Sequence, residues 1–471
     1  MLETALTLTI NGDRLSLDNI SPTLTLLEYL RQSGRIGTKE GCADGDCGAC
    51  TIVVVGEGAD GGWQYQAMNS CLIPLGAMAG RQLITVEGVA QGGLHPVQAK
   101  MVELGGSQCG YCTPGFIMSM FASYYDGQRD DLAVEGNLCR CTGYLPIRRA
   151  LQSLQPVDAE DPWQARLAQT DADGLPALDY QGQGQRFYRP TQLSQVLALM
   201  ADHPEATLVA GATDLGLELT HRRQQYPVLI SLEAVEELHG IQPAATEVTI
   251  GAAVPLSQIK ATLHGVFPAL DEMLHWFAAR QVRNRATLGG NLGTASPIGD
   301  LPPVLLALDA TVTLASTAGQ RTVAIADFFT GYRQTLRQPD EVIVSITIPK
   351  TLAPGATRRL SQSYKVGKRG TDDISIVAAT FTLDLDEHNT IVLARLAYGG
   401  VAATPVRAIA IETALIGQPW TAETVQAVKS PLHNAFTPLS DLRASAGYRR
   451  QLVANLFEKF FYESASLRST S

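Results

Sequence analysis

The chain has 471 residues, 45% of them hydrophobic, and a formal net charge of −10. That length suggests about three or four domains, each able to bury a core, and the acidic balance argues against nucleic acid or an anionic membrane surface as partner. No apolar run approaches the roughly 18 residues of a membrane span, and Met1-Leu2-Glu3-Thr4 lacks the basic and apolar segments of a signal peptide.

Leu6, Leu8 and Ile10 alternate with threonines, Asn11-Gly12 follows, and Leu15 and Leu17 alternate again. This predicts a β-hairpin with a type I′ turn. Thr25-Leu26-Leu27-Glu28 reads as a capping box opening a short helix that stops at Gly34. A cysteine-bearing loop, an apolar strand over 51–55 and a further strand over 83–86 complete a β-grasp, ferredoxin-like domain over residues 1–90. From 91 to 155 the pattern turns helical. His95-Pro96 and Thr113-Pro114 each start a helix, a short helix lies near Leu132, and another follows Pro146, giving a four-helix domain. Residues 156–186 carry Pro, Asp, Gly and Gln without periodicity and read as a linker. Short β-rich runs alternate with helices over 187–355. The segment 356–471 reads as strands followed by helices, a C-terminal α+β domain. The chain is thus a multidomain α+β protein.

All eight cysteines lie in the first 141 residues, in two quartets. Cys42, Cys47, Cys50 and Cys71 have the spacing C-x4-C-x2-C and then a distant fourth cysteine, which is the plant-type [2Fe–2S] pattern. Three thiolates from one tight loop suit a small anionic cluster. Gly41, Gly45 and Gly48 let the loop curl and aim its amides at sulfur. Disulfides need an oxidising compartment, and nothing here suggests secretion. Zinc prefers paired C-x2-C knuckles. No histidine accompanies either quartet, which excludes a Rieske centre. Cys109, Cys112, Cys139 and Cys141 form C-x2-C and C-x-C elements ahead of two helices, where free N–H groups favour an anion; taken alone, this quartet also suits zinc. Reduced thiols and no targeting segment point to the cytoplasm.

The second half has neither a G-x-G-x-x-G fingerprint nor a P-loop. Two glycine turns stand out: Leu208-Val209-Ala210-Gly211-Ala212-Thr213-Asp214-Leu215 and Thr287-Leu288-Gly289-Gly290-Asn291. Either can present backbone N–H groups to a pyrophosphate. Each is also ordinary strand–Gly–helix chemistry, and Trp276 and Phe277 are by themselves core residues.

Gly41 to Cys50, the run Gln108-Cys109-Gly110-Tyr111-Cys112-Thr113-Pro114-Gly115, the run Asn137-Leu138-Cys139-Arg140-Cys141-Thr142-Gly143-Tyr144, and the two glycine turns together carry a resemblance. The whole chain resembles the iron–sulfur and flavin subunits of the molybdenum hydroxylases, in particular the small subunits of bacterial xanthine dehydrogenases. The resemblance implies a [2Fe–2S] cluster in each quartet and a non-Rossmann FAD-binding domain. It implies FAD contacts from Val209, Ala210, Gly211, Ala212, Thr213, Asp214, Leu215, Phe277, Thr287, Leu288, Gly289, Gly290, Asn291, Asp300, Ile343 and Lys365. The loop 367–373 resembles the border of the face that receives NAD+, and Gln108 resembles a residue that approaches molybdopterin. Ala212 departs from the many relatives with glycine there. The molybdopterin and purine site is expected on a large partner subunit, in a heterotetramer of two small and two large subunits. Electrons are expected to run from molybdopterin through the second quartet, then the first, to FAD and NAD+. Alternatives are the same role with an aldehyde or N-heterocycle as substrate, or a non-enzymatic iron–sulfur sensor.

Overall fold

A computed structural model describes residues 2–170 and 174–466. The chain divides into two compact units: Met1–Glu237 with Pro255–Gln258 and Ala278–Thr287, and Leu238–Val254 with Ile259–Phe277 and Leu288–Ser471. The segment expected as the FAD domain is therefore shared between them.

The first unit begins with a five-stranded mixed sheet in the order Asp13–Leu17, Leu6–Ile10, Gln82–Ile84, Thr51–Glu57, Trp63–Asn69. The opening hairpin pairs Ile10 with Asp13, and both turn residues have positive φ (Asn11 55°, Gly12 96°), as a type I′ turn requires. The helix Leu26–Gln32 buries Leu26, Leu27, Tyr29 and Leu30, and Thr25 and Glu28 close the expected capping box. One helix gripped by a mixed sheet is the β-grasp arrangement.

The helical part follows: Pro96–Glu103, Thr113–Asp126 and Leu145–Gln152, with a single 3₁₀ turn, Asp131–Val134, as the third of the four expected helices. Thr113–Asp126 is buried on every residue from Gly115 to Tyr124, as befits a helix covered on all sides. Phe116 and Met120 pack with Val97, Met101, Ile147 and Leu151. Met118, Phe121 and Ala122 pack on the sheet residues Val53, Tyr65 and Ala67.

The segment 156–186 is not a plain linker. Asp161 caps a helix, Pro162–Ala168, accepting hydrogen bonds from the N–H groups of Trp163 and Gln164. Trp163 is 3% exposed and meets Phe121 edge-on at 5.1 Å. Strands Leu178–Gly182 and Gln185–Arg189 follow, in a four-stranded sheet with Val228–Ser231 and Thr207–Val209. Residues 171–173 of the expected linker lie outside the described residues. Periodicity missed this helix because its stability is tertiary: one tryptophan buried against another element, on a piece too short to show a stripe.

The second unit contains a five-stranded antiparallel sheet centred on Val342–Pro349 and a four-stranded antiparallel sheet centred on Val377–Leu385 and Ile391–Gly399. Helices Ala422–His433 and Ala446–Ser466 pack on the latter through Val425, Val453, Phe457 and Phe460.

Candidate cluster and flavin sites

The loop over 41–50 turns at Ala43 (φ 60°), Gly45 (φ 86°) and Gly48 (φ 64°). The N–H of Cys42 donates to Cys47 Sγ at 3.2 Å and the N–H of Cys47 to Cys42 Sγ at 3.3 Å. A Cβ on Gly41 would lie 2.6 Å from Cys47 Sγ, so only glycine lets the backbone come this close. Cys50 Sγ and Cys71 Sγ are 3.3 Å apart and both are buried. Asn69 pins the loop through its amide, which donates to the Gly45 carbonyl at 2.7 Å.

The second quartet also forms pairs. Cys139 raises the proton affinity of Cys112, and Cys109 that of Cys141. The N–H of Cys139 donates to the Tyr144 hydroxyl at 3.1 Å, with Tyr144 itself at φ 66°. Cys109 and Cys141 are exposed, whereas Cys139 is buried.

The pairing sets the proton affinities. The hydrogen bond from Cys42 pulls Cys47 down to about 6 and pushes Cys42 up. The hydrogen bond with Cys71 lowers Cys50 and raises Cys71. Burial and then the Cys139 hydrogen bond push Cys112 up to about 12; Cys139 falls because, against its burial, Thr142 and Cys112 hydrogen-bond its thiolate. Among the described residues no three cysteine, histidine or carboxylate side chains converge on a point for one ion. Two thiol pairs per site fit a binuclear rhomb, with one pair for each iron.

The expected flavin residues fall in both units. In the first, the strand Thr207–Val209 runs through Ala210, Gly211, Ala212, Thr213 and Asp214 into the helix Leu215–Thr220. Ala212 has φ 63°, the left-handed conformation that glycine takes without cost. Gly211 is also hemmed in by protein: a Cβ there would overlap the Arg285 carbonyl. Arg285, 5% exposed, donates from Nε to the Gly211 carbonyl at 3.0 Å and from Nη1 to Glu233 at 2.7 Å. Arg81 reaches the same carboxylate at 3.1 Å. Thr287 lies two residues from Arg285 and bridges Pro255. Sequence reasoning missed Arg285, because no spacing rule ties it to the Gly211 turn.

In the second unit, Leu288, Gly289, Gly290 and Asn291 open the helix Leu288–Thr294. Gly289 is pressed on Ala252, and its N–H donates to the Ala252 carbonyl at 3.0 Å. Gly290 is exposed. Asn291 Oδ1 is buried without a partner, an acceptor that fits a hydroxyl or N–H of a bound nucleotide. Ile343 is 7% exposed and its Cδ1 lies 3.8 Å from a Cβ built on Gly293. Asp300 accepts from Lys365 Nζ at 2.8 Å and from Ser375 Oγ at 2.5 Å, and Lys365 also donates to the Trp276 carbonyl at 3.1 Å. Phe277 ends the helix Pro268–Trp276 and is followed by Ala278 at φ 44°. In the loop 367–373, Asp373 accepts the N–H groups of Lys368, Arg369 and Ile374 at 2.6, 2.8 and 2.9 Å, and these outweigh its partial burial to lower its pKa. Ala43, Ala212 and Asp372, in the expected cofactor loops, and Ala278, next to Phe277, all have positive φ. Strain of this kind persists where the surroundings over-determine it.

Four families match the chain in sequence: "2Fe-2S iron-sulfur cluster binding domain" over 8–75, "[2Fe-2S] binding domain" over 85–152, "FAD binding domain in molybdopterin dehydrogenase" over 180–351, and "CO dehydrogenase flavoprotein C-terminal domain" over 362–464. Xanthine dehydrogenase of Drosophila subobscura is 34% identical over 97% of this chain and 39% of that protein, and xanthine dehydrogenase of Emericella nidulans is 32% identical over 97% and 38%. The chain therefore spans under two-fifths of these relatives' length. Among solved structures, a chain of carbon monoxide dehydrogenase from Hydrogenophaga pseudoflava aligns with TM-score 0.54 and 30% identity, over 58% of this chain and 94% of that one. A chain of quinoline 2-oxidoreductase from Pseudomonas putida 86 aligns with TM-score 0.54 and 30% identity, over 59% and 95%. The chain belongs to the molybdenum hydroxylase family. It is an oxidoreductase chain with two [2Fe–2S]-binding domains and an FAD-binding domain, and its cofactors are two [2Fe–2S] clusters and FAD.

Proposed function

We propose that this chain is the electron-transfer subunit of a cytoplasmic xanthine dehydrogenase. Its partner would be a molybdopterin-binding large subunit that oxidises hypoxanthine and xanthine to urate, in a heterotetramer, with NAD+ as final acceptor. The observation that carries the reading is the presence of two complete thiol quartets and the flavin residues on one chain. Similarity to xanthine dehydrogenases over 97% of the chain supports the substrate.

When bound, the two clusters supply a one-electron relay and the flavin a two-electron exit. Cys42, Cys47, Cys50 and Cys71 would hold one cluster, and Cys109, Cys112, Cys139 and Cys141 the other. Cys109 and Cys141 are exposed, with the exposed Tyr111, Leu138 and Leu145 near them in sequence, and this face would receive the large subunit. Asn291 Oδ1 would accept from the flavin nucleotide, and Gly290 would let it lie against the backbone. Lys365 and Asp300 hold each other, so that the lysine charge stays fixed and dry. The loop 367–373, organised by Asp373, would border the nicotinamide.

A second reading keeps this relay and changes the partner's substrate. It is favoured by the alignment with a quinoline oxidoreductase. One experiment separates the half-reactions. The loaded chain alone should oxidise NADH with an artificial acceptor and should oxidise xanthine only after the molybdopterin subunit is added. Xanthine turnover by the single chain would refute the division of labour. No xanthine turnover by the complete complex would move the substrate to the second reading.

A further inference from the structure

The two cluster loops meet at one point, and that point is over-determined. The N–H of Leu138 donates to the Cys47 carbonyl at 3.0 Å. Cys47 belongs to the first quartet, and Leu138 immediately precedes Cys139 of the second. The backbones approach so closely that side chains are excluded on both sides. A Cβ on Gly48 would overlap the Gly136 carbonyl and the Asn137 amide, and one on Gly115 would overlap the Gly48 carbonyl. Gly48 is thus wedged between the chain that follows Cys112 and the chain that precedes Cys139.

Buried side chains hold the wedge. Asn137, 3% exposed, donates from Nδ2 to the Gly48 carbonyl at 3.0 Å. Its Oδ1 accepts from Gln281 Nε2 at 3.2 Å, and the same nitrogen reaches Ser119 Oγ at 3.0 Å. Gln281, also 3% exposed, sits in the short helix Arg280–Arg283, four residues after Phe277. Arg283, in the same helix, pairs with Glu135, two residues before Asn137. The stretch that begins beside the expected flavin wall therefore fixes the contact between the two quartets. A further link, the Tyr111 hydroxyl on the Glu40 carbonyl, runs through an exposed ring.

Resting on the relay reading above, we propose that Asn137 and Gln281 are positioning residues for electron transfer between the clusters, holding the Cys47 carbonyl on the Leu138 amide as the link. Through that link the path from Cys47 Sγ to Cys139 Sγ is covalent except for one hydrogen bond. The step is one electron lost on the side of the second quartet and one gained on the side of the first; no proton moves and no bond is made or broken.

The test uses the cofactor-loaded full chain and compares Asn137→Ala and the milder Gln281→Ala with the wild type. One-electron reduction followed by rapid-freeze EPR reads the rate of equilibration between clusters. The fully reduced protein reads their magnetic splitting. In these two variants equilibration should slow severalfold, as the contact between the loops loosens. The splitting should shrink, and each cluster's own g-values and iron should stay. Unchanged rate and splitting in both Asn137→Ala and Gln281→Ala would overturn the proposal, as would loss of iron in both, which would assign the couple to assembly. A wild-type chain with a single cluster signal would instead overturn the relay reading itself.

Discussion

Lys365 Nζ stands 2.8 Å from Asp300 Oδ2, and the two side chains are only 2% and 9% exposed. Taking both charges out of water is costly, and the pair persists because Ser375 and the Trp276 carbonyl satisfy their remaining hydrogen-bonding capacity. Lys365→Met should therefore cost about 3–5 kcal/mol by leaving the carboxylate buried and unpaired. The double variant Lys365→Met, Asp300→Leu should recover most of that loss. Chemical denaturation measures both. If FAD contacts depend on the fixed charge, flavin content falls in both variants; recovery of flavin in the double variant would limit the pair to stability.

Ala212 bears a left-handed backbone at a cost of roughly 1–2 kcal/mol. Ala212→Gly should keep flavin content and leave stability unchanged or raised by up to about 1 kcal/mol, since the unfolded chain regains some entropy. Ala212→Val should lose at least about 2 kcal/mol, because a β-branched residue is a genuine outlier there. Melting temperature and bound flavin per chain check both.

Burial lowers the pKa of His95 from 6.5 to about 4. Its Nδ1 accepts from the Val97 N–H at 3.2 Å and its Nε2 meets the Tyr125 hydroxyl at 2.9 Å, so the neutral ring caps the helix Pro96–Glu103. As pH falls from 6.5 the unfolded chain takes up a proton that the folded chain refuses until about 4. Stability is thus full above 6.5 and is lost between 6.5 and about 4, by on the order of 3 kcal/mol. His95→Asn keeps a cap without this titration. Its loss of stability from pH 7 to pH 4.5 should be smaller than the wild type's by about 2–3 kcal/mol.

Local chemistry was legible in the sequence wherever one short stretch decides the outcome. Asn11-Gly12, the Thr25–Glu28 capping box and the Pro114 helix start all depend on neighbours within a few residues. Junctions were not legible. Trp163 anchors a segment that reads as linker, because its partners Tyr65 and Phe121 are far away in sequence. Gly211 reads as a phosphate glycine, and the second reason for glycine there, the close Arg285 backbone, lies far away in sequence. Asp373 shapes its loop as an acceptor, a role that no local pattern shows. Reversing it would collapse the loop, so the exposed Lys368 is the cleaner probe. Lys368→Glu should raise the KM for NADH at least severalfold and leave flavin content unchanged; an unchanged KM would remove the loop from the nicotinamide site.

The central claim is that one chain carries two inequivalent [2Fe–2S] clusters and an FAD that exchanges electrons with NADH. Anaerobic addition of NADH to the loaded chain, followed by EPR, tests it most directly. The account predicts about four iron atoms per chain, two for each cluster. It also predicts flavin bleaching and two distinct cluster signals, of which Cys47→Ser removes one and spares the other. A single signal, stoichiometric zinc, or a flavin-replete chain that NADH does not reduce would contradict it.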